Sequence, residues 1–152
     1  MNDLPYIATL RLLQCADQIR ARLAGEFASV HGLSVNEFLF LLHLEQAPLH
    51  RLARVELAKR LHVSASTVTR MAAPMEKTGL VSRQADKRDA RLSFVALTRP
   101  GRKIIAEART TFAKQAGYLF QDRWNEQDVK RLSDLIYRLV ANAPGDLTRT
   151  SE

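Results

Sequence analysis

The stretch "HVSASTVTRMAAPMEKTGLV", His62 to Val81, holds one complete helix with its own start and stop signals. Ser64 is placed as its N-cap, where a side-chain oxygen accepts from the first free amides. Val68, Met71, Ala72 and Met75 recur at helical spacing and predict one apolar face. Thr78-Gly79 closes the helix, because glycine adopts the left-handed backbone that a C-terminus needs. The opposite face carries Ser66, Thr69, Arg70 and Ala73, with Ala65 and Thr67 flanking. Ser and Thr compete with helical hydrogen bonding and are poor choices for a plain solvent face. The choice points to a demand from outside the fold.

Just upstream, Val55 to Leu61 predicts a short helix with Leu57, Ala58 and Leu61 inward. The order is therefore helix, tight turn, helix. His62 occupies the turn, where glycine is common, and His tolerates positive φ better than bulky residues. Pro74 falls inside the second helix. It removes one donor and crowds the carbonyl of Arg70, which predicts a kink.

Downstream, "QADKRDARLSFVALT" predicts a two-stranded hairpin, Leu80 to Gln84 and Leu92 to Leu97. Its turn packs Asp86, Lys87, Arg88, Asp89 and Arg91 into six positions. Thr98 caps a long helix with Pro100 in its first turn, where a missing N–H costs little. Ile105, Ala108, Phe112 and Leu119 form that helix's apolar face.

Three further helices flank this unit. A first helix spans roughly Pro5 to Val30, with Leu12, Ala16, Ile19, Leu23 and Phe27 at helical spacing. A second begins at a capping box, Ser34 with Glu37, stapled by Leu33 and Phe38, and ends at Ala47-Pro48. A last helix is capped by Asn125, with Trp124 placed to staple onto Val129, and stops at Ala143-Pro144-Gly145. Asp146 to Glu152 reads as a frayed tail.

The chain has 152 residues, 46% of them hydrophobic, enough for one domain with a real core. Its net charge is +7. Between Arg51 and Lys103 thirteen Lys and Arg face four Asp and Glu, so the middle third carries +9 and the remainder −2. Focused positive charge suits a polyanion such as nucleic acid. The start lacks the basic and apolar regions of a secretory signal, and the longest apolar run, Phe38 to Leu42, is far too short for a membrane span. The single cysteine permits no internal disulfide, which fits the cytoplasm. No phosphate-binding glycine loop, Ser/His/Asp constellation or metal motif is present, so an enzyme is not expected and no cofactor is implied.

The fold class expected is mostly α with a small β-hairpin wing: a winged helix-turn-helix between N- and C-terminal helices. In that geometry the second helix enters the major groove of double-stranded DNA. Small hydroxyl residues allow close approach, Arg pairs bidentately with guanine, and threonine methyls meet thymine methyls. Ser64, Ser66, Thr67, Thr69 and Arg70 are the candidate contacts on this helix. At the wing, Lys87 is a candidate phosphate contact and Arg88 or Arg91 a candidate minor-groove reader. Asp86 and Asp89 are expected to brace the loop by pairing with those arginines.

Glu56 to Arg102, "ELAKRLHVSASTVTRMAAPMEKTGLVSRQADKRDARLSFVALTRPGR", resembles the multiple-antibiotic-resistance regulator (MarR) family of bacterial winged-helix transcription factors. The resemblance rests on "VSASTVTR", the following "EKTGLV", and the wing pattern D-x-R-D-x-R ending in L-T. It implies a homodimer with segments 1–32 and 118–145 as dimerisation helices, a DNA-binding region at 33–103, and a connecting helix at 104–117. It implies that Arg88 is the wing arginine, with Asp89 and Arg91 as its brace. It also implies a repressor of pseudo-palindromic operators, released by a small phenolic or aromatic carboxylate. Wide apolar stripes on the terminal helices agree with the dimer.

Arg11, Cys15, Phe38 and His43 are the candidate ligand-lining groups. For His43 the preferred reading is a packed histidine satisfied by backbone. Some relatives sense peroxide through a cysteine flanked by tyrosines. Here "SVNEFLF" offers none, so a plain buried thiol is preferred for Cys15 over a redox sensor. His31, His43, His50 and His62 lie in different elements, and no one segment builds a metal site. The rival readings are a nonspecific architectural DNA binder, acting by charge alone, and a helical adaptor without DNA contact.

Overall fold

A computed structural model of the chain describes residues 3–89 and 91–148. α1 (Leu4–Glu26) passes into a widened π turn at Phe27–His31 and ends at Gly32, whose φ is +64°. α2 (Val35–Gln46) begins at the expected capping box: Ser34 Oγ accepts from the Glu37 amide at 3.1 Å, and Glu37 Oε2 accepts from the Ser34 amide at 3.0 Å. β1 (Arg51–Ala53) leads directly into α3 (Arg54–Leu61). α4 (Ala65–Lys77) follows, then β2 (Val81–Ala85) and β3 (Ser93–Leu97). α5 (Arg99–Leu119) and α6 (Glu126–Val140) complete the order.

The sheet has three strands, not the two expected. It is antiparallel in the order β1-β3-β2, with Leu52 opposite Val95 and Val81 opposite Leu97. β1 is only three residues long and follows Pro48, so it carries no readable alternation of its own. Leu49 and His50 both take positive φ just before it, which reverses the chain into the sheet.

α2 is the core helix. Phe38, Phe40, Leu41 and Leu44 are essentially fully buried against Leu57, Val68, Val81 and Ile105. Phe38 stacks on Phe112 and contacts Phe27, with ring centroids 5.4 and 4.7 Å apart, tying α1 and α5 to α2. By contrast, α6 buries no residue in the single chain, and Leu4, Tyr6, Ile7, Leu10 and Leu13 of α1 are exposed. No single helix among the described residues is long and apolar enough to cross a membrane.

Two tight turns frame α4. His62 does adopt the left-handed conformation (φ 56°), and Val63 N–H reaches back to the Ala58 carbonyl at 3.0 Å. After α4, Leu80 N–H bonds to the Met75 carbonyl at 2.8 Å, with Gly79 at φ +78°. α4 runs as one helix through Pro74 to Lys77. Trp124 meets Phe120 edge-on at 5.4 Å.

The described part of the expected frayed tail is seated. Gly145, Asp146 and Leu147 are half-buried, and Gln46 Nε2 donates to the Leu147 carbonyl at 2.9 Å. A Cβ on Gly145 would stand 2.8 Å from Arg60 Cγ and 3.0 Å from His43 Cε1, so only glycine packs this closely. Residues 149–152 lie outside the described residues.

Two substitutions should shift stability in opposite directions. A Cβ on Gly101 would overlap the Leu80 carbonyl oxygen and approach Leu97 Cδ1 to 2.7 Å. Gly101→Ala should therefore lower the urea midpoint, at a cost of about 1–3 kcal/mol for overpacking against backbone. His62→Gly should raise it by about 1 kcal/mol, because it removes the Cβ penalty of a left-handed residue.

Candidate nucleic-acid interface

α4 turns its apolar side, Val68, Ala72 and Met75, into the core, and leaves Ser66 and Arg70 exposed with Thr67 and Thr69 half-buried. Ser64 accepts from the Thr67 amide at 3.1 Å and so caps the helix. Its hydroxyl also lies 2.9 Å from those of Ser66 and Thr67. Arg70 Nη2 donates to Thr67 Oγ1 at 3.2 Å. Ser64, Ser66, Thr67 and Arg70 thus form one exposed hydroxyl chain ending on a guanidinium. Thr69 is held differently: Arg54 Nη1 donates to its hydroxyl at 3.0 Å.

The wing rises beside this face. Arg83 Nε, on β2, pairs with Glu76 Oε2 of α4 at 2.8 Å and fixes the wing's base to the helix. The acidic residues of the turn brace it, but not by the arginine pairs expected. Asp86 Oδ1 accepts from the amides of Arg88 at 2.6 Å and Asp89 at 3.2 Å. Asp89 Oδ1 accepts from the Arg91 amide at 2.9 Å. Aspartate is short enough to close such turns on its own backbone. Among the described residues neither carboxylate makes an ion pair with Arg88 or Arg91, so the loop is shaped while the guanidinium groups are left to other partners. Lys87, Arg88 and Arg91 are all exposed. Ala90 lies outside the described residues.

Two basic residues on this surface escape a sequence reading. Arg51 stacks over Phe94 at 4.8 Å and joins Gln84, Asp86, Lys87 and Arg88 around a concavity of about 740 Å³. Arg54 reaches α4. Both count in the basic excess of the middle third, but they fall in a segment that reads as a loop until β1 is seen.

The four candidate ligand groups are not brought together. Phe38 is a core ring, 1% exposed, whose edge reaches a cavity of about 670 Å³ between α2 and α5. His43 lines a different cavity of about 520 Å³, with Arg20, Asn36, Arg60, Thr67 and the seated segment Ala143 to Leu147. Arg11 and Cys15 line neither. The expected buried thiol is exposed in the single chain, because α1 meets the core only near Leu23.

His43 is buried, yet among the described residues its Nδ1 has no hydrogen-bond partner, unlike the backbone-satisfied histidine expected. Burial first, then the positive charge of Arg60 and the neighbouring His62, lower its pKa from 6.5 to about 4. Arg20 Nη1 donates to Asn36 Oδ1 at 2.8 Å across the same cavity.

A short supporting helix, a tight turn, an exposed second helix and a braced basic hairpin define a winged helix-turn-helix. The sequence model of the MarR family matches residues 33–93. The chain is 33% identical over 111 residues to the HTH-type transcriptional repressor YetL of Bacillus subtilis, covering 71% of this chain and 66%, just under two thirds, of that protein. Its fold superposes with a TM-score of 0.78 on a MarR family transcriptional regulator from Streptomyces coelicolor in complex with DNA (23% identity; 91% of this chain, 94% of that one). It matches equally, at 0.78, an organohalide-sensing transcriptional regulator in its 2,4-dichlorophenol-bound form (18% identity; 91% and 80%). The chain thus matches the MarR family of transcriptional regulators in its central segment and in its fold, and these relatives are regulators rather than enzymes.

Two measurements follow from the site's geometry. Asp86→Asn keeps the accepting oxygen and should leave the Arg88 and Asp89 amides protected from hydrogen exchange, whereas Asp86→Ala should expose both. For His43, the unfolded chain takes up a proton near pH 6.5 and the folded chain only near 4. Its contribution to stability is therefore complete above about 6.5 and is lost as pH falls toward 4. Thermal melts across that window should show a shallower fall for His43→Leu than for the parent.

Proposed function

We propose that the protein is a homodimeric, sequence-specific double-stranded DNA-binding regulator of the cytoplasm that represses pseudo-palindromic operators and is released by a small phenolic or aromatic carboxylate. The observation that carries this reading is the exposed hydroxyl and guanidinium face of α4 beside a wing whose arginines are not tied to its own acids. Ser64, Ser66, Thr67, Thr69 and Arg70 belong to the major-groove contact, Lys87 to phosphate, and Arg88 to the minor groove with Arg91 beside it. The fold shared with a DNA-bound family member supports the placement, and the likeness to YetL supports repression.

The dimer follows from uncovered surface. Apolar residues of α1 and of α6, Leu135, Ile136, Leu139 and Val140 among them, stand exposed in the single chain. Segments 1–32 and 118–145 are the surfaces a second copy covers, and two winged lobes then read two half-sites. For the effector, the cavity beside His43 combines Arg20, Arg60 (paired with Glu56 at 3.1 Å), the Asn36 amide, the Asp146 carboxylate and an imidazole nitrogen without a hydrogen-bond partner among the described residues, with apolar walls from Leu39, Met71 and Val140. That is the donor set for a carboxylate or phenol on an apolar body. The dichlorophenol-bound relative supports the class. Release requires the ligand to bind the DNA-incompetent arrangement more tightly than the competent one, and Thr67, shared by the cavity wall and the hydroxyl chain, links the two sites.

On duplex DNA selected by the protein from a random pool, Arg70→Ala should cost about 1–3 kcal/mol and relax preference at one guanine per half-site. Arg88→Ala should weaken binding mainly where the flanks are A·T-rich. Equal and negligible effects of both would sink the reading. Salicylate-type acids should release the parent protein, and Arg60→Ala should blunt that release.

A further inference from the structure

Arg54 is the first residue of α3, half-buried, and faces α4 rather than solvent. Among the described residues its side-chain partner is neither a carboxylate nor a carbonyl but the hydroxyl of Thr69, 3.0 Å away. That hydroxyl in turn donates to the Ala65 carbonyl at 3.3 Å. A threonine hydroxyl has one proton and two lone pairs. With the proton given to Ala65 and one lone pair to Arg54, Thr69 has no donor left to offer a base. It is held at two points, so its rotamer is set and its γ-methyl keeps one position. Thr69 lies on the same side of α4 as Ser66 and Arg70. The guanidinium of Arg54 keeps the rest of its five donors beyond Thr69, and among the described residues it forms no ion pair. A half-buried guanidinium with donors to spare gains from an anion that completes it, and its fork geometry suits a phosphate.

We infer that Arg54 is a positioning residue for sequence readout: it clamps a DNA backbone phosphate with its free donors and, through its bond to Thr69, fixes that side chain so that it reads a thymine by its methyl group and not by hydrogen bonding. The inference rests on the DNA-binding reading above; it adds to it a phosphate clamp from α3 and fixes on Thr69 the methyl contact that reading left to the helix as a whole. Arg54 couples the two, because the same guanidinium serves both. A lysine there keeps the charge but not the planar fork that divides donors between a hydroxyl and a phosphate.

The test uses the full-length protein and the duplex pool it selects from random DNA, with binding followed against salt and against single base changes. Arg54→Ala, Arg54→Lys and Thr69→Ser are compared with the parent after matching their thermal melts. Arg54→Ala should reduce the salt slope by about one per subunit and lose preference for thymine at one position in each half-site. Arg54→Lys should keep the slope and lose the thymine preference. Thr69→Ser, which retains the hydroxyl and drops the methyl, should also lose that preference with the slope unchanged. Parent-like behaviour of either Arg54 variant in thymine preference, or a thymine preference that survives in Thr69→Ser, overturns the inference. If the parent selects no sequence at all, the DNA-binding reading itself falls. If it selects a site and the Arg54 variants read it as the parent does, only the present inference falls.

Discussion

The Thr98 side chain holds together the three parts that make the interface. Its hydroxyl donates toward the carbonyls of Gly79 at 2.5 Å and Leu80 at 2.9 Å, at the end of α4 and the start of β2. It accepts from the Gly101 amide at 3.1 Å and thereby starts α5. Its own amide bonds to the Leu80 carbonyl at 3.1 Å, closing the sheet beside Val81 and Leu97. One residue thus joins the recognition helix, the wing and the long helix that leads toward α6. Gly101 lets α5 approach that junction without a side chain in the way. Under the proposed reading, a helix and a hairpin that meet one DNA duplex at two grooves need such a fixed angle between them.

Local chemistry explains what was legible from the chain and what was not. The caps at Ser34, Ser64, Thr98 and Asn125 all form, because each is a short-range bond between a side chain and an amide three residues on. The left-handed turn at His62 was readable for the same reason. β1 was not, because a three-residue strand exists only through its pairing with Ala96, Val95 and Phe94, some forty residues later. The seating of Gly145 on Arg60 and His43 is equally non-local. The wing acids were read with the right purpose and the wrong partner. Charge pattern suggests ion pairs, whereas the backbone amides two and three residues ahead lie closer to a short carboxylate than any guanidinium does.

The same contrast runs through the ligand residues. Arg11, Cys15, Phe38 and His43 were grouped by helical spacing and residue type. The fold separates them among an exposed helix, an aromatic core and a cavity whose far wall is the segment after α6. Polar groups that converge on that cavity come from α1, α2, α3 and α4, a set no spacing rule collects. The cavity therefore touches both α4, through Thr67 and Met71, and the end of α6, through Val140.

The central claim is that α4 and the wing read one duplex together, in major and minor groove, once per subunit. Hydroxyl-radical footprinting of the full-length protein on a selected duplex tests it most directly. The account predicts two protected half-sites related by a dyad, with centres one or more helical turns apart, about 10 base pairs each, and protected A·T minor grooves flanking them where the two wings lie. Uniform protection along any sequence, or a single protected patch with no minor-groove flank, would contradict it.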